Sequence, residues 1–300
     1  MRHSLRLSAI AVAIAFTAGT AAAQTVSIPS TPAGELLRAW VTAINSGDSV
    51  RIVNEAKAHH PKMLAPTNWL RLAQSSGGYE VEKILDSEPR HIEFVAKEKS
   101  SGAHLRGVLD AGADEPLVAT SLVLRTVPPG APVEGCKTWV TPEARSAPGA
   151  ADPKDVASEE AIIGALYDVI SGPACKHRDW DRFRSLFISG ARLIPTGARD
   201  GRVVARAETP DEYAAAAKNG LEENGFFEHE IAFTGERFGA IGHRFSTYES
   251  RRQANDEKPF ARGINSIQLL NDGTRWWIVT VYWQGERPGS PIPAQYLRQP

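Results

Sequence analysis

Cysteine is scarce in this sequence, with two residues in a chain of 300. Such a low count excludes a small disulfide-dense scaffold and a zinc site built from four cysteines. A net charge of one sign is also missing, because 34 Lys and Arg balance 35 Asp and Glu to a formal charge of −1. That balance excludes a strongly basic nucleic-acid-binding protein. We therefore expect no nucleic-acid partner.

Recognisable catalytic and cofactor motifs are missing as well. The glycines are scattered over caps and turns and form neither a GxGxxG nor a Walker pattern. Ser75-Ser76-Gly77-Gly78 lacks the preceding glycine of a nucleophile elbow. His59 and His60 are adjacent, and neighbouring residues of a helix point in different directions, so this pair predicts no metal site. The sequence predicts no cofactor and no metal.

The start of the chain carries the three-part pattern of a secretory signal. Arg2 and Arg6 give a basic beginning, an apolar run covers residues 7–16, and Ala21-Ala22-Ala23 supplies small residues before Gln24. The apolar run is too short to span a bilayer, and we expect no membrane span from any later segment. Residues 1–23 are thus predicted to be a signal peptide that is removed from a periplasmic or secreted protein.

The two cysteines are relevant to the predicted cellular compartment. In an oxidising compartment Cys136 and Cys175 are a candidate disulfide. Spacing alone does not show that two thiols meet in space, so two unrelated free thiols are the alternative.

A segment rich in proline and glycine divides the chain into two units. Residues 128–154 contain Pro and Gly throughout and show little apolar periodicity, which is typical of a linker. The predicted N-terminal unit therefore covers residues 30–127, and the predicted C-terminal unit covers residues 155–300.

Both units follow one order of elements, with helices first. In the N-terminal unit Thr31 and Pro32 signal the start of the first of three helices, which are followed by strands at 79–85, 91–97, 104–110 and 119–127. In the C-terminal unit Ser158, Asp179 and Thr209 are predicted to cap three helices, of which the second ends at Gly190. Its predicted strands are 192–194, 202–207, 226–237, 240–251, 262–270 and 274–285. This order is typical of an α+β fold.

Several short motifs carry a resemblance to a known family. They are Leu37-Arg38-Ala39-Trp40, Asn45-Ser46-Gly47-Asp48, Asp179-Trp180-Asp181-Arg182-Phe183, Gly190-Ala191-Arg192, Phe245-Ser246-Thr247-Tyr248-Glu249 and Arg275-Trp276-Trp277-Ile278. The chain resembles the nuclear-transport-factor-2-like, or polyketide-cyclase-like, cone fold. The resemblance implies two tandem cone-shaped domains, each with about three helices on a curved antiparallel sheet. The family holds isomerases, dehydratases, epoxide hydrolases and binding modules, so the resemblance implies a fold and no single reaction.

Strand alternation gives one set of candidate catalytic residues. A three-residue loop at Phe238-Gly239-Ala240 pairs His229 with Glu249, and His243 lies deeper on the same predicted concave face. A carboxylate can orient an imidazole and tune it for proton transfer near neutral pH. The alternative interpretation is a salt bridge at the rim and a core histidine. Asp179 and Asp181 are similarly explained by capping of a helix and its dipole.

The last strand gives a second set of candidate residues. With a two-residue turn at Asp272-Gly273, Trp277, Val279, Val281 and Trp283 share one face beside Ile264, Ser266, Gln268 and Leu270. Trp277 and Trp283, together with Phe245, are predicted to bind a ligand or to form an interface. The expected contact is with the N-terminal unit or with a second copy, through the C-terminal sheet. The alternative is that this stripe is the core of the cone and that the stripe of Trp276 faces outward.

These observations favour an exported tandem cone-domain protein that binds a small apolar ligand or a protein partner, without enzymatic activity. The alternative is a polyketide-cyclase-like isomerase, dehydratase or hydrolase that acts on a small hydrophobic substrate in the C-terminal cone, with His229, His243 and Glu249 as its catalytic residues.

Overall fold

The computed structural model describes residues 26–60, 65–113, 116–142, 150–199 and 201–298. These residues form two sheets, and each sheet has its own buried apolar core. The predicted signal peptide lies outside the described residues. Within the described residues, no helix is long and apolar enough to cross a membrane.

The N-terminal unit consists of three helices followed by an antiparallel sheet. Its helices are α1 (Pro32–Asn45), α2 (Ser49–His59) and α3 (Pro66–Ser76). Its strands are β1 (Tyr79–Glu88), β2 (His91–Glu98), β3 (His104–Ala111) and β4 (Ala119–Thr126), in the order β1-β2-β3-β4. Thr31 caps α1 as predicted, because its side chain accepts a hydrogen bond from the Gly34 amide.

Aromatic rings fill the core of the N-terminal unit. The buried Trp40 of α1 stacks on Tyr79 at 5.3 Å between ring centroids and meets Phe94 at 6.4 Å. Gly107 on β3 makes room for Phe94, since a Cβ atom there would lie 2.2 Å from the phenyl ring. This packing buries the apolar face of α1 on the sheet.

The C-terminal unit has three helices and a larger sheet. Its helices are α4 (Glu159–Ile170), α5 (Trp180–Ser185) and α6 (Pro210–Asn224). Its strands are β5 (Phe187–Arg199), β6 (Arg202–Ala205), β7 (Phe227–Phe238), β8 (Ile241–Arg251), β9 (Ala261–Asn271) and β10 (Trp276–Gly285). The six-stranded sheet has the order β6-β5-β10-β9-β8-β7. Both units thus have the predicted α+β fold class.

Two details of the C-terminal unit differ from the prediction. The sheet is mixed and not purely antiparallel, because β5 pairs with β10 in a parallel arrangement. The helix that Asp179 caps ends at Ser185, and Gly190 lies inside β5. The two units are not simple duplicates, because one sheet has four strands and the other has six. That the chain repeats one fold in tandem stays a prediction.

A bulge in β7 corrects an error in the predicted register. Phe238 pairs with Ile241, so the loop has two residues and not three, and Phe233 pairs with Ser246. An irregularity at Ile231 then shifts the register by one residue. His229 consequently lies opposite Glu249, as predicted.

A second bulge, in β10, interrupts the predicted aromatic stripe. Trp276 pairs with Asn271, so the connection has four residues and not two. The register shifts again between Ile278 and Thr280. Trp276 and Ile278 therefore share the helix-facing side with Val281 and Trp283, whereas Trp277 faces the other side. The prediction of one continuous stripe through Trp277 and Trp283 is wrong because of this bulge.

The described part of the linker is attached to the C-terminal unit. Cys136 and Cys175 form a disulfide with their Cα atoms 5.2 Å apart, so the first of the two alternatives is correct. The amide of Val140 donates to the Cys175 carbonyl, and the amide of His177 donates to the Val140 carbonyl. Trp139 stacks on the His177 ring at 4.6 Å. The boundaries at residues 128 and 154 stay predictions.

Candidate functional site

A cavity of about 260 Å³ lies in the C-terminal unit between its helices and the face of the sheet that they cover. We call this the inner face; on β8 it carries Arg244, Ser246, Tyr248 and Ser250. Helices α4, α5 and α6 each contribute wall residues to the cavity. Its aromatic lining consists of Tyr167, Phe183, Tyr213, Phe226, Tyr248, Phe260 and Trp283.

Glu228 contributes a carboxylate to this mainly apolar lining. Its backbone is held in place at the start of β7, because the Glu228 amide donates a hydrogen bond to the Ser171 hydroxyl at 2.9 Å. Its side chain accepts a hydrogen bond from the Ser250 hydroxyl at 2.7 Å and also bonds to Asn265. Burial outweighs these two bonds and raises the pKa of Glu228 to about 7. The carboxyl group can therefore gain or lose a proton near neutral pH.

A hydrogen-bonded network holds Asn265 in place beside Glu228. The Asn265 amide nitrogen donates to the Tyr167 hydroxyl at 3.0 Å, and that hydroxyl lies 2.7 Å from Ser246 Oγ. Ser246 in turn donates to Glu230. All of these groups are buried or partly buried, so the network fixes the donors around the cavity before any ligand binds.

Tyr248 reaches the cavity across a glycine on the neighbouring strand. Gly263 pairs with Tyr248, and a Cβ atom on Gly263 would lie 2.3 Å from the tyrosine hydroxyl. Burial and the nearby Glu228 raise the pKa of Tyr248, and the same two causes raise that of Tyr213. Both phenols therefore stay protonated at neutral pH and present neutral hydroxyl groups.

Two phenylalanines stand where the cavity approaches the surface. Phe226 and Phe260 line it with ring centroids 6.2 Å apart, and Phe260 is 47% exposed. The Arg252 guanidinium stacks over Phe260 at 3.8 Å and donates to the Gly225 carbonyl. This arginine thus holds the exposed ring against the start of β7.

The predicted catalytic residues lie on the other side of the sheet. His229, His243 and Glu249 occupy the outer face, which points away from the helices. His229 is exposed, His243 Nε2 lies 3.1 Å from Ser266 Oγ, and Glu249 accepts a hydrogen bond from Arg251. The prediction that these three share the concave face is wrong, because β8 carries polar residues on both faces and its alternation does not show which face meets the helices.

The C-terminal segment covers part of this outer face. A short 3₁₀ helix, Ala294–Leu297, follows the last strand. Thr247 donates to the Tyr296 carbonyl at 2.6 Å, and Phe245 packs on the Tyr296 ring at 5.0 Å. Phe245 therefore contacts the chain's own C-terminal segment. Sequence reasoning missed this contact because the segment after β10 has no helical or strand periodicity.

The two predicted interface tryptophans separate to opposite faces. Trp283 lines the cavity and meets Tyr213 of α6 edge-on, with ring centroids 6.0 Å apart. Trp277 lies on the outer face, where its indole nitrogen donates to Asp272 and the Arg275 guanidinium stacks on its ring. Trp283 thus packs on a helix of its own unit, and this placement contradicts its assignment to an interface.

Contacts between the described parts of the chain on either side of the linker, and with the linker itself, lie elsewhere. Arg106 of the N-terminal sheet is 3.7 Å from Glu223 at the end of α6. Gln253 donates to the Gly130 carbonyl of the linker. The predicted contact between the units through the outer face of the C-terminal sheet is not among these interactions. A contact between two copies through that face stays a prediction.

Within the described ranges, no group of three or more His, Cys, Asp or Glu side chains is arranged to hold a metal ion.

Comparisons with known proteins return similarity to solved structures. No protein-family model matches the sequence, and no curated protein matches it. A nuclear-transport-factor-2-like protein of unknown function from Silicibacter pomeroyi DSS-3 is 15% identical, with a TM-score of 0.31; the match covers 43% of this chain and 94% of that one. A second nuclear-transport-factor-2-like protein of unknown function, from Methylobacillus flagellatus KT, is 13% identical, with a TM-score of 0.30; the match covers 43% of this chain and 95% of that one. A putative scytalone dehydratase from Novosphingobium aromaticivorans DSM 12444 is 12% identical, with a TM-score of 0.29; the match covers 38% of this chain and 79% of that one.

These solved structures are similar to about two fifths of this chain. At such low identities and scores they supply no information about its function.

Proposed function

We propose that this protein binds a small, mainly apolar molecule in the cavity of the C-terminal unit, with one polar group of that molecule on Glu228. The observation that carries the proposal is a cavity of about 260 Å³ with aromatic walls and this carboxylate in its lining. An apolar cavity of about 150 Å³ accommodates benzene. The larger volume here is suited to a molecule with one or two rings.

The arrangement of polar groups supports a ligand-binding role. Binding sites for small molecules are mostly apolar, with a few placed polar groups that set the orientation of the ligand. Here Glu228, Asn265 and Tyr248 are such groups, and hydrogen bonds with Ser250 and Tyr167 fix Glu228 and Asn265 before a ligand binds. Because the donors are already oriented, binding costs little side-chain entropy.

A second candidate function is catalysis of proton transfer by the same carboxylate. A pKa of about 7 places Glu228 where a general base is most effective near neutral pH. The isomerase, dehydratase or hydrolase alternative therefore rests on Glu228, with the Tyr248 hydroxyl as a neutral donor. Conversion of a bound molecule, lost in Glu228→Gln while binding is retained, would favour this alternative over simple binding.

Filling the cavity tests the proposal. We expect Val281→Phe and Ala261→Trp each to abolish binding, because both residues line the cavity and the larger side chains occupy its volume. The measurement is native mass spectrometry of protein purified from its producing cells, together with thermal shifts in a panel of one- and two-ring compounds. Val203→Phe is the matched control, because Val203 is exposed on β6.

Two outcomes would contradict the proposal. One is a ligand mass that both cavity-filling variants retain as well as the wild type does. The other is a wild-type protein that carries no ligand mass and whose melting temperature no ring compound raises. Near-ultraviolet circular dichroism of each variant shows whether its tertiary packing is intact.

We also propose that the protein is exported. The three-part pattern in residues 1–23 supports this, and the disulfide between Cys136 and Cys175 is compatible with an oxidising compartment. The intact mass of the protein from its producing cells should correspond to a chain that begins at Gln24. A mass that retains residues 1–23, with all of the protein in the cytoplasm, would refute the proposal.

A further inference from the structure

We propose that the molecule bound in the cavity is an organic amine in its cationic form, held by the Glu228 carboxylate and by the faces of the surrounding aromatic rings. This proposal rests on the proposed function, because it names the chemical class of the ligand for the same cavity. It is supported by the geometry of the rings, by one carboxylate that has no cationic hydrogen-bond partner among the described residues, and by the groups that face that carboxylate.

The aromatic rings that line the cavity are oriented at different angles to one another. Tyr213 and Trp283 are nearly perpendicular, with an interplanar angle of 87° and centroids 6.0 Å apart. Phe183 stacks on Tyr213 at 5.4 Å with an angle of 24°. Aromatic faces carry partial negative charge and attract ammonium groups within about 6 Å of the ring centroid. Rings that enclose one volume from several directions are the arrangement by which proteins hold organic cations.

Among the described residues, the hydrogen-bond partners of the carboxylate in this lining are neutral donors. Ser250 and Asn265 are its hydrogen-bond partners, and the shift of its pKa has no cationic cause. Glu230, two residues further along β7, differs because both of its oxygens accept bonds from the Arg244 guanidinium. Among the described residues that line the cavity, none is Lys, Arg or His. A cationic ligand would supply the charge that the protein does not place beside Glu228.

The remaining titratable groups of the described cavity lining are tyrosines. Tyr167 comes from α4, Tyr213 from α6 and Tyr248 from β8, and burial raises the pKa of each phenol. The elements α5, β5, β9 and β10 contribute only uncharged residues to the described lining, namely Phe183, Leu193, Ala261, Asn265, Val281 and Trp283. Glu228 is therefore the group of this lining whose charge changes between pH 5 and 9. Glu228 also borders a second pocket, whose charged and titratable lining residues are Glu160, Asp168, His229, Glu230, Arg244 and Arg251.

The sign of the pH dependence follows from this environment. A cationic amine binds to ionised Glu228, so its affinity falls as the pH drops below 7 and levels off above 7 until the amine itself loses its proton. A neutral ligand that accepts a hydrogen bond requires protonated Glu228, and its affinity falls as the pH rises above 7. The two ligand classes thus give opposite pH profiles.

The test compares 2-phenylethylamine with 2-phenylethanol, which have the same ring and chain and differ in the charged group. Calorimetric titration from pH 5.5 to pH 8 should show the amine binding roughly thirtyfold more tightly at pH 8 than at pH 5.5. Glu228→Gln should weaken binding of the amine at least tenfold and remove its pH dependence, while leaving the alcohol within about threefold. Glu236→Gln, on an exposed residue of the same strand, is the matched control.

Each outcome of this test supports or overturns the proposal. Equal affinity for amine and alcohol, or tighter binding of the alcohol at low pH, would overturn the amine proposal and leave the proposed function standing. If neither compound binds and no ring compound raises the melting temperature, the proposed function itself fails. If Glu228→Gln does not fold, the wild-type pH profiles of the two compounds still decide between the ligand classes.

Discussion

Replacing Glu228 with glutamine should stabilise the folded protein by about 3 kcal/mol more at pH 8 than at pH 4. In the folded protein the pKa of Glu228 is about 7, whereas its ordinary value is 4.5. Between these two values the folded protein holds a proton that the unfolded chain has released. The free energy of unfolding therefore decreases as the pH rises from about 4.5 to about 7, and it loses no more above that pH. Glutamine is neutral at every pH, so the free energy of unfolding of the variant does not decrease in this way.

The measurement is urea denaturation of the wild type and of Glu228→Gln at pH 4, 6 and 8, followed by tryptophan fluorescence. The amide oxygen of glutamine can still accept the hydrogen bond from Ser250, so the packing around residue 228 should be retained. Glu236→Gln should shift the free energy of unfolding by less than about 0.5 kcal/mol at each pH, because Glu236 is exposed. An effect of Glu228→Gln that is the same at pH 4 and pH 8 would show that the carboxyl group is not perturbed.

Removing the disulfide should destabilise the C-terminal unit by about 4 kcal/mol, from the loop-entropy estimate for a sequence separation of 39 residues. The double variant Cys136→Ser/Cys175→Ser avoids a leftover thiol. The bond encloses α4, whose buried residues belong to the core of the C-terminal unit. Without it, the unfolded chain gains freedom that the folded unit does not have.

Hydrogen exchange gives a measurement that distinguishes the two units. Amides of α4 in the double variant should exchange faster than in the wild type, while amides of α1 should be unchanged, since α1 packs in the other core. Reduced wild-type protein is the control for the substitution itself. Equal exchange rates of α4 in the oxidised wild type and in the double variant would contradict the prediction.

The starts of the helices were predictable because their signals are local. Thr31, Ser158, Asp179 and Thr209 cap the helices that the sequence assigns to them, and Thr209 forms a reciprocal capping box with Glu212. Each cap depends on residues within three positions along the chain. Such short-range patterns are visible in a single sequence.

The site was not predictable because it depends on registers and faces. The bulges at Ile231 and Val279 have no local sequence signal, and each one exchanges the faces of the residues beyond it. The sequence does not single out Glu228, because the alternation along β7 and β8 does not show which face of the sheet meets the helices. One signal could have indicated it: Gly263 inside β9 marks a close approach, and the side chain that approaches is Tyr248, which faces the cavity with Glu228.

The Cys136–Cys175 bond also changes how the chain carries mechanical load. From Thr126, at the end of β4, to Cys136 is ten residues, which span at most about 35 Å when extended. If the ends of the protein are pulled apart, the force passes through the two sulfur atoms and does not reach residues 137–174. Helix α4 lies within that bypassed loop. Tension applied to the whole chain therefore reaches the C-terminal unit from Cys175 onward, and α4 bears none of it directly while the bond is intact.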